Sequence, residues 1–137
     1  MSSTRQAEVR RETKETKIFL RLDLDKAGEP KIATGVGFFD HMLNAFARHG
    51  LFDLVIQCQG DLDVDAHHTV EDVGICLGQA IDQALGDKVG IQRYGHSYVP
   101  MDEALARAAI DLSGRAYLVM RAAFSSEQVG ELPVALV

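Results

Sequence analysis

The segment His67-His-Thr-Val-Glu-Asp-Val-Gly-Ile-Cys-Leu77 joins a helical apolar pattern to side chains that bind metals. Apolar residues recur at helical spacing through it and beyond it, at Val70, Val73, Leu77, Ala80, Ile81 and Ala84. This pattern predicts an amphipathic helix that begins at the two histidines and ends near Gly86.

The first turn of this helix is a candidate metal site. His67 and Glu71 are four residues apart and share one helical face, whereas His68 is rotated by about 100° and must serve something else. Imidazole with carboxylate suits zinc, iron(II) or manganese(II), and the motif alone does not choose among them. The alternative is that the motif binds no metal: the two histidines are exposed at the start of the helix, and the helix dipole favours an acidic first turn.

The loop before this helix is acidic, with Asp61, Asp63 and Asp65 at alternate positions. Such spacing is typical of calcium-binding loops. Position six would be Ala66 instead of glycine and position twelve Asp72 instead of glutamate, so we reject a calcium loop.

Two strands and a helix are predicted upstream. Apolar residues alternate over 17–24 and again over 51–59, which indicates two half-buried strands. The turn residues of 26–30 predict a hairpin to a short strand. A helix from about His41 to His49 has Asp40 as its N-cap and Gly50 as a left-handed C-cap.

His41 lies opposite the apolar stripe of this helix and is a second candidate ligand, although a lone helix histidine is more often a solvated surface residue. Arg93 and Arg115 follow glycine-bearing turns, a setting that suits a guanidinium that binds phosphate through two hydrogen bonds. Either arginine is equally compatible with an ordinary surface position.

Downstream, strand-like runs at 106–112 and 116–124 flank Ser113-Gly114, which predicts a second hairpin. The order of elements indicates an α+β layer fold. Glu15 and Glu103 are 88 residues apart, as are Asp23 and Asp111, so we expect duplicated half-domains.

The expected organisation is a single domain over 1–137, with a first half-domain at 8–92 and an incomplete second at 93–137. The equivalent of His67 would lie beyond Val137, and Pro133 is placed as the first residue of a helix. We therefore expect a chain that is cut before a second metal motif.

The composition narrows the classes of partner. A formal charge of −6 argues against nucleic acid or an anionic membrane as a general partner, because the long-range field repels both. No stretch approaches the roughly 18 apolar residues of a membrane span, and the N-terminus lacks the apolar core of a secretory signal. We expect a cytoplasmic protein in which Cys58 and Cys76 are reduced thiols.

Six ordered blocks between about Glu8 and Leu132 resemble the signature of the imidazoleglycerol-phosphate dehydratase family. They are Phe38-Phe-Asp-His-Met-Leu43, His67-His-Thr-Val-Glu-Asp72, Leu85-Gly-Asp-Lys88, Arg93-Tyr-Gly95, Pro100-Met-Asp-Glu-Ala-Leu105 and Asp111-Leu-Ser-Gly-Arg115. The resemblance implies two similar half-domains, each with a His-His-x-x-Glu motif, whose helices pack between two sheets.

The resemblance also implies the site. The expected manganese ligands are His41, His67, His68 and Glu71, with two Mn²⁺ per complete site. Glu15, His49, Arg93 and Arg115 are expected to bind the substrate, the arginines at its phosphate. The sites would lie between subunits of a homo-oligomer built from trimers.

The implied reaction is a lyase step of histidine biosynthesis, which dehydrates D-erythro-imidazoleglycerol phosphate to imidazole-acetol phosphate through a metal-bridged imidazolate. Glu71 or Glu15 would take the carbon proton. A catalytically silent metal-binding or assembly subunit that contributes a half-site is the alternative. An unrelated hydrolase with the same ligands is a third hypothesis, but two phosphate-binding arginines argue against it.

Overall fold

A computed structural model of the chain describes residues 4–137, which form an α+β fold as predicted. The elements in order are β1 (Gln6–Glu12), β2 (Thr16–Asp23), β3 (Lys31–Ala33), α1 (Gly37–Gly50), β4 (Asp53–Gly60), α2 (His67–Leu85), β5 (Tyr94–Met101), β6 (Ala104–Asp111), β7 (Gln128–Val129), β8 (Leu132–Pro133) and a 3₁₀ helix at Val134–Leu136. Among the described residues, none of the helices has the length and apolar character needed to span a membrane.

The chain divides into two compact units. One contains the residues up to Ala84 together with Ala122–Val137, and the other is Leu85–Arg121. The half-domain limits at 8–92 and 93–137 stay a prediction.

The first unit is built on a four-stranded sheet in the order β1-β2-β4-β3. β1, β2 and β4 pair antiparallel, whereas β3 is parallel to β4 and reaches it through α1. The predicted hairpin between β2 and β3 is therefore wrong. β4 pairs with β2 along all of Thr16–Asp23, so β3 pairs with the other edge of β4.

The two α-helices cover one face of this sheet. Strand residues that alternate toward the helices are fully buried, including Leu20 and Ile56, and they form one cluster with side chains of both helices: Leu43, Ala47, Val73, Cys76, Ala80 and Ala84. Burial of a single Leu or Ile side chain contributes roughly 1.5–3 kcal/mol. Both cysteines are free thiols, as predicted.

The ends of α1 differ from the prediction. The helix begins at Gly37, and Asp40 lies in its first turn, where its backbone N–H donates to the Val36 carbonyl and its carboxylate accepts a hydrogen bond from the Thr34 backbone N–H, each at 2.9 Å. The left-handed residue at the C-terminus is Leu51 (φ 60°) and not Gly50. Gly50 is needed for space, since a Cβ atom there would lie 2.4 Å from the Phe52 ring.

The second unit contains the β5–β6 hairpin, whose turn is at Asp102-Glu103 and whose strand residues are all exposed. The predicted hairpin about Ser113-Gly114 is wrong, because β6 pairs with β5 and the described residues 116–124 contain no strand. The hairpin repeats the register of β1 and β2. Gln6 faces Asp23 in the first, and Tyr94 faces Asp111 in the second, each 88 residues further on.

Gly60 allows the end of β4 to approach the first turn of α2. A Cβ atom at Gly60 would lie 2.0 Å from Thr69 Oγ1 and 3.3 Å from Thr69 Cβ. We expect Gly60→Ala to lower the free energy of unfolding by about 1–3 kcal/mol, because the added methyl group displaces the Thr69 hydroxyl and crowds the Thr69 Cβ atom. Urea denaturation measures this. The matched control is Gly37→Ala, whose added Cβ meets nothing within 4 Å. Equal stability of the two variants would contradict the close approach.

Candidate metal site at the start of α2

The N-terminus of α2 is held by the acidic loop that precedes it. Asp65 Oδ1 accepts a hydrogen bond from the backbone N–H of His67 at 2.7 Å, and the Val70 N–H donates to the Ala66 carbonyl at 3.0 Å. Asp65 thus satisfies an N–H group that the helix leaves without an intrahelical partner.

Asp72 fastens the same end of α2 to the sheet. Its side chain is buried. Its Oδ1 accepts a hydrogen bond from Nε of Arg11 in β1 at 3.0 Å and forms an ion pair with Nη2 of the same residue at 2.9 Å. The hydroxyl of Thr16 in β2 donates to Oδ2. Burial raises the pKa of Asp72, but the hydrogen bonds from Thr16 and Arg11 outweigh it, so the pKa of Asp72 lies below its usual value. The carboxylate is therefore ionised and shared between two strands.

His67 and Glu71 lie on one face of the helix, as their spacing predicts. Nε2 of His67 and Oε2 of Glu71 are 4.0 Å apart, and the two side chains are 55% and 57% exposed. That separation exceeds a hydrogen bond. The pair therefore presents a nitrogen and an oxygen donor to solvent.

His68 has a different environment. Its Nδ1 is 2.9 Å from Oδ2 of Asp61, and its ring meets the His67 ring edge to face with centroids 5.6 Å apart. The hydrogen bond to Asp61 raises the pKa of His68, and the charge of Glu15 adds to the effect. The two adjacent histidines thus serve different partners, which agrees with the rotation between them.

Glu15 follows β1 in the turn to β2 and is exposed. Its backbone N–H donates to Thr13 Oγ1 at 3.1 Å, and its negative charge contributes to the raised pKa of His68.

His41 and His49 both lie on α1 and are exposed, and the His41 ring is 6.2 Å from that of Phe38. No three His, Cys, Asp or Glu side chains come together as a metal-binding group within residues 4–137. The donors that α2 places on one face are the single pair His67 and Glu71.

Arg93 and Arg115 belong to the second unit. Nε of Arg93 is 2.6 Å from Asp111 Oδ1, and Nη2 is 3.1 Å from Oδ2. These hydrogen bonds lower the pKa of Asp111, and the charge of Arg115 adds to the effect. Both arginines are exposed, and the positive charge of each favours the ionised form of Asp111.

Sequence reasoning missed the roles of Asp61, Asp72 and Asp111. One signal was available for Asp72, because it falls on the apolar face of α2 beside Val73 and four residues before Cys76. A charged residue on a buried face predicts an ion pair. Asp61 and Asp111 give no comparable signal, since their partners are brought to them by the fold.

The half-buried thiol of Cys58 and the buried thiol of Cys76 are poor nucleophiles. Burial raises the pKa of Cys58 to about 11 and also raises that of Cys76. Since the thiolate is the reactive form, both groups are inert at neutral pH.

Comparison with known proteins points to one family. The sequence profile described as imidazoleglycerol-phosphate dehydratase matches residues 34–137. The chain is 60% identical over 133 residues to the imidazoleglycerol-phosphate dehydratase of Methylibium petroleiphilum, covering 97% of this chain and 67% of that protein. It is 61% identical over 133 residues to that of Acetivibrio thermocellus, covering 97% and 68%.

Solved structures agree. The imidazoleglycerol-phosphate dehydratase of Staphylococcus aureus superimposes with a TM-score of 0.84 at 39% identity, over 96% of this chain and 71% of that one. The Pyrococcus furiosus protein, crystallised in complex with (S)-C348, gives a TM-score of 0.78 at 34% identity, over 93% and 67%. The chain spans about two thirds of the length of the relatives it matches.

We expect Asp72→Asn to lower the free energy of unfolding by about 2–3 kcal/mol, because a neutral amide no longer balances the charge of Arg11. Thermal unfolding followed by circular dichroism measures the loss. Asp63→Asn removes the same charge from an exposed position in the loop before α2 and serves as the control. If both variants melted with the wild type, Asp72 would not be the fastening point of the helix.

Proposed function

The chain belongs to the imidazoleglycerol-phosphate dehydratase family of hydro-lyases in histidine biosynthesis, and we propose that its own activity is the manganese-dependent dehydration of D-erythro-imidazoleglycerol phosphate. The proposal rests on the arrangement of the side chains at the start of α2. There one short motif exposes His67 with Glu71 and turns His68 toward a separate carboxylate.

The donors suit a divalent transition metal. Neutral imidazole and carboxylate are ligands that manganese(II), iron(II) and zinc accept, and His67 with Glu71 offers one of each on a single face. We propose His41, His67, His68 and Glu71 as the residues that hold Mn²⁺. When bound, the metal supplies Lewis-acid stabilisation of the negative charge that proton removal leaves on the imidazole-bearing substrate.

The substrate phosphate is assigned to Arg93 and Arg115. Both are exposed side chains of the second unit, and the positive charge of each acts on Asp111. An overall charge of −6 makes such local basic groups necessary for an anionic ligand. His49 and Glu15 complete the proposed substrate-binding set.

A carboxylate takes the carbon proton and the neighbouring carbon loses its hydroxyl group, so that one proton and one hydroxide are lost together as water, and the resulting enol tautomerises to imidazole-acetol phosphate. Glu15 is the better base of the two candidates. Glu71 is a proposed metal ligand, and a carboxylate bound to a cation is less basic than one that is not. Glu15 is exposed and its charge acts on His68, which supports a position beside the metal ligands.

We propose a cytoplasmic homo-oligomer, built from trimers, with sites between subunits. His67 and Glu71 offer two donors on one face, and a divalent transition metal takes more than two ligands, which supports donors supplied by a neighbouring chain. Nucleic acid and membranes are not proposed as partners, because the net charge is −6.

The first test is turnover of imidazoleglycerol phosphate by the chain after treatment with EDTA, with and without added Mn(II), while its mass in solution is recorded. We expect turnover that requires manganese. Binding of Mn(II) without turnover in a folded protein would favour the alternative, a metal-binding subunit that contributes a half-site.

Substitutions of Glu15 and of Glu71 should impair the protein in different ways. We expect Glu15→Gln to lower kcat by about 10²–10⁴-fold with unchanged affinity for Mn(II), because the general base is lost and no proposed metal ligand is changed. Glu71→Gln should weaken Mn(II) binding, because an anionic ligand is lost. Steady-state kinetics and Mn(II) titration separate the two. Loss of kcat in Glu71→Gln alone, with Glu15→Gln fully active, would reverse the assignment of the base.

Arg93→Gln should raise KM for imidazoleglycerol phosphate about 10-fold or more, since hydrogen bonds between charged groups are lost. Inhibition by inorganic phosphate should weaken in parallel. Arg107→Gln removes the same charge from an exposed position on β6 and should leave both values near wild type. Equal effects of the two substitutions would show that only the overall charge matters.

A further inference from the structure

Asp61 lies in the loop between β4 and α2 and has no part in the proposed reaction. Its side chain is only 21% exposed, and Oδ2 is 2.9 Å from Nδ1 of His68. The other oxygen, Oδ1, is buried and has no hydrogen-bond partner among the described residues. A carboxylate placed in this way is aimed at a single imidazole nitrogen.

We propose that Asp61 is a positioning residue that holds His68 in the tautomer with hydrogen on Nδ1, so that Nε2 carries the lone pair that a metal ion binds. The inference rests on the proposed metal role of His68. It assigns Asp61 a function that the sequence motif does not contain.

The tautomer follows from the chemistry of the pair. An ionised carboxylate only accepts hydrogen bonds, so a ring nitrogen at 2.9 Å from it must carry hydrogen. The opposite tautomer would place the Nδ1 lone pair against a negative oxygen. With hydrogen fixed on Nδ1, the neutral ring has Nε2 as its only basic nitrogen. A carboxylate behind the ring also makes that nitrogen a stronger donor to a metal ion.

The three acidic residues of the loop have different roles. Asp65 accepts a hydrogen bond from the His67 backbone, and Asp61 engages the His68 ring. Asp63 is exposed and makes no hydrogen bond or ion pair with other described residues. The alternate acidic spacing is therefore explained without a calcium ion, and Asp63 is a matched control for Asp61.

The first readout needs no metal and no turnover. Long-range ¹H–¹⁵N spectra of the ¹⁵N-labelled, metal-free chain at pH 8 report the tautomer of each histidine, and His68→Gln assigns the His68 signals. We expect hydrogen on Nδ1 of His68 in the wild type and in Asp63→Ala. In Asp61→Ala we expect that preference to be lost.

The second readout is affinity for Mn(II), followed by electron paramagnetic resonance of the free ion. We expect Asp61→Ala to bind Mn(II) about 10- to 100-fold more weakly than Asp63→Ala. Asp61→Asn keeps the size of the side chain, but its amide can turn either an oxygen or an NH₂ group toward the ring. It should therefore lose the exclusive tautomer as well, which keeps the test available if Asp61→Ala does not fold.

Two results would overturn the inference. One is hydrogen on Nε2 of His68 in the wild type, and the other is equal Mn(II) affinity of the Asp61 and Asp63 variants. If the wild type bound no Mn(II) at all, the metal role in the proposed function would fail too. Normal binding with no effect of Asp61 would overturn only the role of Asp61.

Discussion

The buried carboxylate of Asp72 determines how α2 sits on the sheet. It accepts hydrogen bonds from Arg11 in β1 and from Thr16 in β2, so one residue near the helix N-terminus binds two neighbouring strands. A buried charge is costly unless it is paired, and removal of one partner would leave the other uncompensated. The interaction therefore specifies one rotation of the helix about its axis more strongly than apolar packing alone would.

That rotation sets the directions of the metal-binding candidates. At about 100° per residue, Glu71 and His67 point well away from the direction of Asp72, whereas His68 lies only about 40° from it. His67 and Glu71 are accordingly the more exposed side chains, and His68 is turned toward the loop, where Asp61 meets it. A site carried on a helix whose rotation is fixed keeps its donors in place more reliably than one on a loop.

The sequence predicted what depends on local periodicity. The long apolar pattern gave α2 within a residue or two, and strict alternation gave β2 and β4. The two hairpins were wrong because turn residues show where a chain reverses but not which strand it then pairs with. β3 pairs in parallel with β4 on the far side of α1, whereas β6 pairs with the strand just before it, across the turn at Asp102-Glu103.

In the candidate site too, the sequence predicts the local relations and misses the contacts that the fold creates. The relation between His67, His68 and Glu71 follows from helix geometry and was read correctly from spacing. The contacts of Asp61 and Asp72 depend on a loop and two strands brought together by the fold, so spacing could not supply them. The metal, substrate and subunit assignments stay predictions, as does the limit between half-domains.

The central claim is that the start of α2 holds metal ions through both of its histidines. Crystals of the chain grown with Mn(II) and measured at the manganese absorption edge test it most directly. The account predicts anomalous peaks at coordination distance from Nε2 of His67 with the Glu71 carboxylate, and from Nε2 of His68 with Asp61 still on Nδ1. Manganese bound elsewhere, with both imidazoles free of metal, would contradict it.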